Sequence, residues 1–121
     1  MGSHTELNTD DGHTLSAYKA MPSGNAKGGV VVIQEIFGVN QHIRNLVDEF
    51  AKNGYVAIAP ALFDRKERGL DLGYGQDDFG KGRDTRGSLD DDGIQSDVQA
   101  AINDVSSAGK VGIVGYCFGG Y

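Results

Sequence analysis

The sequence predicts an α/β protein with a mainly parallel sheet, helices on both faces of the sheet and an antiparallel N-terminal hairpin. Short runs rich in Val and Ile alternate with amphipathic segments of helical period, which is typical of parallel strands joined by helices. An Asp-Gly pair between the first two alternating segments indicates the hairpin. The length of 121 residues is within the usual range of one domain, so we expect a single domain.

The first half of the chain is expected to contain the hairpin, a buried strand and a helix. Residues 6–9 and 14–20 alternate around the Asp-Gly pair, and residues 30–33 form a continuous apolar run that suits a strand covered on both faces. Apolar residues then recur with helical spacing between Asn40, a plausible N-cap, and Gly54, a plausible stop. Residues 1–4 could be left over from cloning, and we assign them no structural role.

The second half is expected to contain two strands, one helix and a long connection. Residues 56–59 form a predicted strand that ends at Pro60. Residues 64–93 are dense in Gly, Asp and Arg, so we expect a long loop or lid there. Residues 94–105 have helical spacing after an acidic start at 90–92, which suits the positive end of a helix. Gly109 closes that helix, and the apolar residues 111–115 predict a buried strand in the middle of the sheet.

Composition limits the classes of partner. A net charge of -6 argues against nucleic acid and anionic membranes and favours a small-molecule ligand. We find no apolar run near the roughly 18 residues of a membrane span and no signal segment, so we expect a cytoplasmic protein. The single cysteine excludes an internal disulfide and a cysteine-based zinc site. We expect neither a cofactor nor a metal.

The strand at 111–115 leads into a turn in which Cys117 lies between Gly115 and Gly119. In a nucleophile elbow, the central residue of such a strand-to-helix turn projects from the carboxyl edge of the sheet. The adjoining helix N-terminus carries partial positive charge, which favours a thiolate over a thiol. Cys117 is therefore a candidate nucleophile. The alternative is an ordinary buried cysteine flanked by loop glycines.

Two segments carry a family resemblance: QEIFGVN at 34–40 and GYCFGG at 115–120. Together they resemble the dienelactone hydrolase family of the α/β-hydrolase fold. The resemblance implies that residues 1–121 correspond to the N-terminal half of one α/β-hydrolase domain, truncated after the nucleophile elbow. It also implies hydrolysis of a small unsaturated lactone, dienelactone, to maleylacetate in the breakdown of aromatic compounds.

The resemblance assigns a role to several residues. Cys117 is the implied nucleophile, and Glu35 matches the glutamate that contacts the resting thiol and helps to deprotonate it. Because a thiol is mostly protonated at neutral pH, it needs a base, a positive neighbour or a helix end, and Glu35 could serve as that base. The alternative for Glu35 is a solvated loop carboxylate. The backbone N–H groups of Ile36 and Phe118 match an oxyanion hole. The region around Lys81 and Arg83 corresponds loosely to the arginine that holds the substrate carboxylate, and the alternative for either side chain is a solvated surface charge.

Two catalytic partners of the family are not found among these residues. The family order is nucleophile, Asp, His, and the sequence stops before the last two. Of the three histidines, His42 is nearest the predicted site, although a surface role on its helix is the simpler interpretation. We therefore expect the 121-residue chain alone to be inactive. Because its last strand would also have an unpaired edge and an uncovered apolar face, we expect the chain either to need a missing C-terminal half or to self-associate. The alternatives are a catalytically silent binding protein of this fold and a structural fragment that assembles with another chain.

Overall fold

The computed structural model describes residues 2–34, 38–65 and 75–115. Its elements are, in chain order, β1 (Ser3–Asn8), β2 (Thr14–Ala20), β3 (Gly29–Ile33), α1 (Gln41–Lys52), β4 (Val56–Pro60), a first 3₁₀ turn (Leu62–Arg65), α2 (Gln76–Ser88), α3 (Asp91–Val105), a second 3₁₀ turn (Ser106–Ala108) and β5 (Val111–Gly115). Within these ranges no helix is long and apolar enough to cross a membrane.

The strands form one mixed sheet in the order β1-β2-β4-β3-β5. The hairpin strands β1 and β2 are antiparallel, and β2 also runs antiparallel to β4. Strand β3 lies between β4 and β5 and is parallel to both. The predicted antiparallel entry and parallel centre are therefore confirmed. All three parallel strands direct their carboxyl ends to the same edge of the sheet.

Alternate residues of β3 pack on opposite faces of the sheet, because successive strand side chains point in opposite directions. Val31 and Ile33 belong to a core that α3 covers with Ala101 and Val105. The opposite face carries a second cluster, which α1 covers; its buried members are Tyr18, Ala20, Val30, Val32, Ile43, Val47, Ala51, Ala57 and Ala59. The continuous apolar sequence of β3 thus reflects burial on both sides, as predicted.

The ends of α1 follow the predicted capping chemistry. Asn40 Oδ1 accepts a hydrogen bond from the backbone N–H of Ile43 at 3.2 Å, which satisfies one of the donors left free at a helix start. Beyond the last turn, Gly54 has a φ of 101°, a conformation that glycine adopts without steric cost. Local sequence therefore sets both ends of the helix that follows β3.

The prediction of an uninterrupted loop at 64–93 is wrong, because α2 occupies Gln76–Ser88 and α3 begins at Asp91. Helix α2 is mainly polar and contains several glycines, so it has no apolar stripe by which a helical period could be recognised. Thr85 is buried, and its hydroxyl donates to the Lys81 carbonyl at 2.8 Å. Residues 66–74 lie outside the described residues, and a lid there remains a prediction.

Two further findings concern the edges of the sheet. Ser3 and His4, to which we assigned no structural role, pair with Lys19 and Tyr18 and extend β1. The residues of β5 are partly or fully exposed, with Ile113 53% exposed, and among the described strands only β3 pairs with β5. An unpaired edge and an uncovered apolar face are what we expected for this strand within residues 1–121 alone.

Gly29 marks the closest approach between β3 and the end of α3. A Cβ atom at Gly29 would lie 2.8 Å from Val105 Cγ2 and 2.9 Å from the Val105 carbonyl oxygen. We expect Gly29→Ala to lower the free energy of unfolding by about 1–3 kcal/mol through overpacking, as measured by urea denaturation. Gly112→Ala on β5 is the matched control, because a Cβ there meets no atom within 4 Å. Equal stability of the two variants would contradict this packing.

Candidate functional site

The chain leaves β3 and β5 at adjacent points of the carboxyl edge. Ile33, the last residue of β3, pairs in parallel register with Gly115, the last residue of β5. Neighbouring strands are separated by about 4.8 Å. The two segments that carry the family resemblance therefore start side by side, since the first begins directly after Ile33 and the second begins at Gly115. Edges formed by the carboxyl ends of parallel strands are the usual ligand sites of α/β sheets.

The four residues with predicted chemical roles in these segments are not among the described residues. They are Glu35, Ile36, Cys117 and Phe118. The structure describes the strands that lead to them and part of the chain that follows the first segment. Their roles as base, nucleophile and oxyanion donors stay predictions.

Gln34 follows β3 directly and is completely buried. Its side-chain Oε1 accepts a hydrogen bond from the backbone N–H of Leu62 at 2.8 Å. Leu62 is the first residue of the 3₁₀ turn after β4, so this bond connects the carboxyl ends of two parallel strands. Gln34 is the first residue of the QEIFGVN segment, but we assigned it no role from the sequence. The available signal was an amide side chain directly after a fully apolar strand.

The second described range, which begins at Gly38, is also held in place at its start. Gly38 has a φ of 90°, which a residue with a Cβ rarely adopts. Arg44 Nη1 donates to the Val39 carbonyl at 2.7 Å, and the next residue, Asn40, caps α1. Helix α1 thus fixes the position at which the first site segment ends.

The 3₁₀ turn after β4 is anchored to the hairpin strand β2. Asp64 Oδ2 accepts hydrogen bonds from the backbone N–H of Ser16 at 2.8 Å and from its hydroxyl at 2.9 Å. Ser16 also accepts a hydrogen bond, because the backbone N–H of Ala61 donates to the Ser16 carbonyl at 2.9 Å. The turn is thus fixed by the backbone of Ala61 and by the contacts of Asp64.

A buried ion pair joins the same turn to α3. Arg65 Nε donates to Asp97 Oδ2 at 3.0 Å, and Arg65 Nη2 lies 2.9 Å from Asp97 Oδ1. Asp97 is completely buried, and Arg65 Nη2 also lies 2.9 Å from Asp11 Oδ2 in the hairpin turn. Gly93 makes room for this arrangement, because a Cβ there would lie 3.0 Å from Arg65 Cδ and Nε.

The two partners of this pair influence each other's protonation. Burial raises the pKa of the Asp97 carboxyl, while the hydrogen bond and positive charge of Arg65 act in the opposite direction. The hydrogen bond to Asp97 is the main cause that raises the pKa of Arg65. A carboxylate without access to water depends on such a partner to remain charged. Arg65, whose side chain is 21% exposed, therefore provides the positive charge that pairs with the completely buried Asp97.

Lys81 and Arg83 are exposed residues of α2. Both residues were predicted to lie in a loop, and this prediction is wrong because they lie in α2. Their role in holding the substrate carboxylate stays a prediction. His42 is exposed on α1, as expected for a surface position. Over the ranges 2–34, 38–65 and 75–115, no group of three His, Cys, Asp or Glu side chains could hold a metal ion.

Comparisons with known proteins agree with this architecture. The family model for the dienelactone hydrolase family matches residues 15–121. The chain is 42% identical over 97 residues to a Synechocystis sp. protein whose name contains the word carboxymethylenebutenolidase; this match covers 76% of the chain and 39% of that protein. It is 36% identical over 116 residues to the carboxymethylenebutenolidase of Pseudomonas putida, covering 91% of the chain and 49% of that enzyme.

A solved structure shows the same arrangement of strands and helices. A crystal structure from Klebsiella pneumoniae, whose name contains the words dienelactone hydrolase, superposes with a TM-score of 0.74 at 28% identity. The superposition covers 98% of this chain and 51% of that one. The chain thus spans about half the length of the curated and solved relatives it matches. Because the family model covers most of the sequence and the sheet has the matching α/β-hydrolase architecture, the chain belongs to the dienelactone hydrolase family.

Proposed function

We propose that the natural polypeptide carrying this sequence is a cysteine-dependent hydrolase of small lactones or esters. The observation that carries the proposal is the register of β3 and β5, in which Ile33 is paired with Gly115. Glu35 and Cys117 each lie two residues beyond one member of that pair. A base and a nucleophile that follow adjacent strand ends are well placed to act on one carbonyl group.

The proposed reaction proceeds through a thioester. Glu35 takes the proton from the Cys117 thiol, and the thiolate attacks the substrate carbonyl carbon to form a carbon–sulfur bond. The bond to the ring or ester oxygen breaks as that oxygen takes up a proton. Water then attacks the thioester, the carbon–sulfur bond breaks, and the thiol is restored with release of the acid.

The backbone N–H groups of Ile36 and Phe118 would stabilise the oxyanion of both tetrahedral intermediates. Such donors stabilise the transition state more than the ground state because they are oriented before charge develops. The family membership supports this assignment, as does the rule that the residue after the nucleophile supplies one donor. We propose that the remaining acid–base residues, a histidine and an aspartate, are supplied from outside residues 1–121.

The proposed substrate is a small lactone or ester with a carboxylate, of the kind formed when aromatic rings are broken down. Lys81 and Arg83 on α2 are the proposed carboxylate ligands because both are basic and exposed. The names of the Synechocystis and Pseudomonas relatives support the lactone class. The alternative is a silent member of the fold that binds such a molecule without cleaving it.

Pre-steady-state hydrolysis of a chromogenic aryl ester by the natural polypeptide separates the two functions. An enzyme that forms its thioester faster than it hydrolyses it should release a burst of about one aryl alcohol per chain before slower steady turnover, as is typical of covalent catalysis. The burst amplitude should scale with protein concentration and disappear after alkylation of the cysteine. Saturable ligand binding with neither a burst nor turnover would instead establish a silent binding protein.

A further inference from the structure

We infer that Gln34 is a positioning residue for the proposed hydrolysis, an inference that rests on the proposed function. Its buried amide fixes the point at which the chain leaves β3, immediately before the candidate base Glu35 and the candidate oxyanion donor Ile36. Gln34 itself does not contact the substrate in this proposal. It acts through the backbone that carries these two groups.

The hydrogen bond of Gln34 connects the site segment to a rigid part of the protein. Gln34 is completely buried, and its Oε1 lies 2.8 Å from the Leu62 backbone nitrogen. Leu62 is also completely buried and begins the 3₁₀ turn. The first N–H groups of a helical turn have no partner within the turn, so Gln34 supplies an acceptor that Leu62 needs.

The 3₁₀ turn is itself fixed from two sides. Asp64 bonds to Ser16 of β2 through two hydrogen bonds. Arg65 forms the ion pair with Asp97 of α3, which is completely buried. Gln34 is therefore bonded to a turn that both the hairpin and α3 hold in place. A shift of Gln34 would break its bond before it moved the turn.

The downstream end of the segment is fixed independently. Arg44 donates to the Val39 carbonyl at 2.7 Å, and Asn40 accepts from Ile43 N–H as the cap of α1. Only residues 35–37 separate Gln34 from the positive-φ residue Gly38. Loss of the upstream bond would let a base and an oxyanion donor shift relative to Cys117, and a displacement of about 1 Å can cost about 100-fold in rate.

The test compares acylation of Cys117 in three variants of the natural polypeptide, using the aryl-ester burst. Gln34→Met keeps the side-chain length but removes the acceptor, and Gln34→Glu keeps an oxygen acceptor at the same position. Tyr18→Phe is the stability control, because it removes another largely buried hydrogen bond, from the Tyr18 hydroxyl to Asp48 at 3.0 Å, between β2 and α1. Each variant is first checked for a cooperative melting transition.

We expect Gln34→Met to slow the burst by about 10- to 100-fold with little change in the dissociation constant of the ester, which is obtained from the dependence of the burst rate on ester concentration. The pH optimum of the burst should also shift, because the proposed base would no longer be aligned with the proposed thiol. Gln34→Glu should retain at least about a third of the wild-type burst rate because its carboxyl oxygen can accept the same bond. Tyr18→Phe should melt earlier but acylate at the wild-type rate. The shift in pH optimum separates a positioning role from a loss of stability.

Each other result overturns a specific part of the account. A wild-type burst rate in a folded Gln34→Met variant would disprove the positioning role and leave the proposed function intact. If Gln34→Met does not fold, a Gln34→Glu variant that folds but acylates at less than about a tenth of the wild-type rate would disprove it equally. Absence of both a burst and steady turnover in the wild type would disprove the proposed function and, with it, this inference.

Discussion

Replacing Cys117 with Ala in the natural polypeptide should lower lactone hydrolysis at least about a thousandfold. Removal of a covalent nucleophile eliminates the thioester pathway and leaves only the transition-state stabilisation that binding and oxyanion donors supply. The measurement is kcat/KM for a small lactone, with the KM or a ligand-binding constant determined separately. Binding should be largely retained, because the substitution removes only the thiol group.

Cys117→Ser is the control for this substitution. A serine hydroxyl has the right position but a much higher pKa than a thiol, so its activity should fall strongly while the fold persists. Both variants should melt close to the wild type. A Cys117→Ala variant that retained, for example, about a tenth of the wild-type kcat/KM would mean that water or another side chain attacks the carbonyl.

Replacing Arg65 with Met should lower the free energy of unfolding by about 3 kcal/mol, because it leaves the Asp97 carboxylate buried without its partner. Asp97 is completely buried, and Arg65 contacts both of its oxygens. Urea denaturation of the natural polypeptide measures the change. The double variant Arg65→Met/Asp97→Leu should recover most of the loss, since it removes the buried charge together with its partner.

The surface pair of Lys19 and Asp104 provides a matched control. Its charged atoms are 2.8 Å apart, but the two side chains are 26% and 31% exposed. Lys19→Met should therefore cost less than about 1 kcal/mol, as is usual for solvated ion pairs. Equal losses for Arg65→Met and Lys19→Met, or a double variant no more stable than Arg65→Met, would contradict the importance assigned to the buried pair.

Elements with a strong local pattern could be predicted from the sequence. The continuous apolar run of β3 and the Asp-Gly hairpin indicated their strands, and β2 and β3 are where they were expected, while β1 begins earlier than predicted, at Ser3. Asn40 and Gly54 marked the ends of α1 because capping depends on residues adjacent in the chain. The first turn of α3 was also indicated by its acidic residues, and Asp90 caps it with a 2.6 Å bond to Gly93 N–H.

The features that escaped prediction depend on contacts between distant residues. Helix α2 has mixed polar residues and glycines instead of an apolar stripe, so its sequence resembles that of a loop. The bonds from Leu62 to Gln34 and from Arg65 to Asp97 connect positions 28 and 32 residues apart. No local period relates such residues.

The central claim is that Cys117 forms a thioester with the substrate, and the intact mass of the natural polypeptide, acid-quenched during turnover of a small lactone, tests it most directly. Ring opening leaves the alcohol attached to the acyl group, so the account predicts a mass increase equal to that of the whole lactone, located on the peptide that contains Cys117. The adduct should be absent from Cys117→Ala. An adduct located on another residue, or one that also forms in Cys117→Ala, would contradict the account.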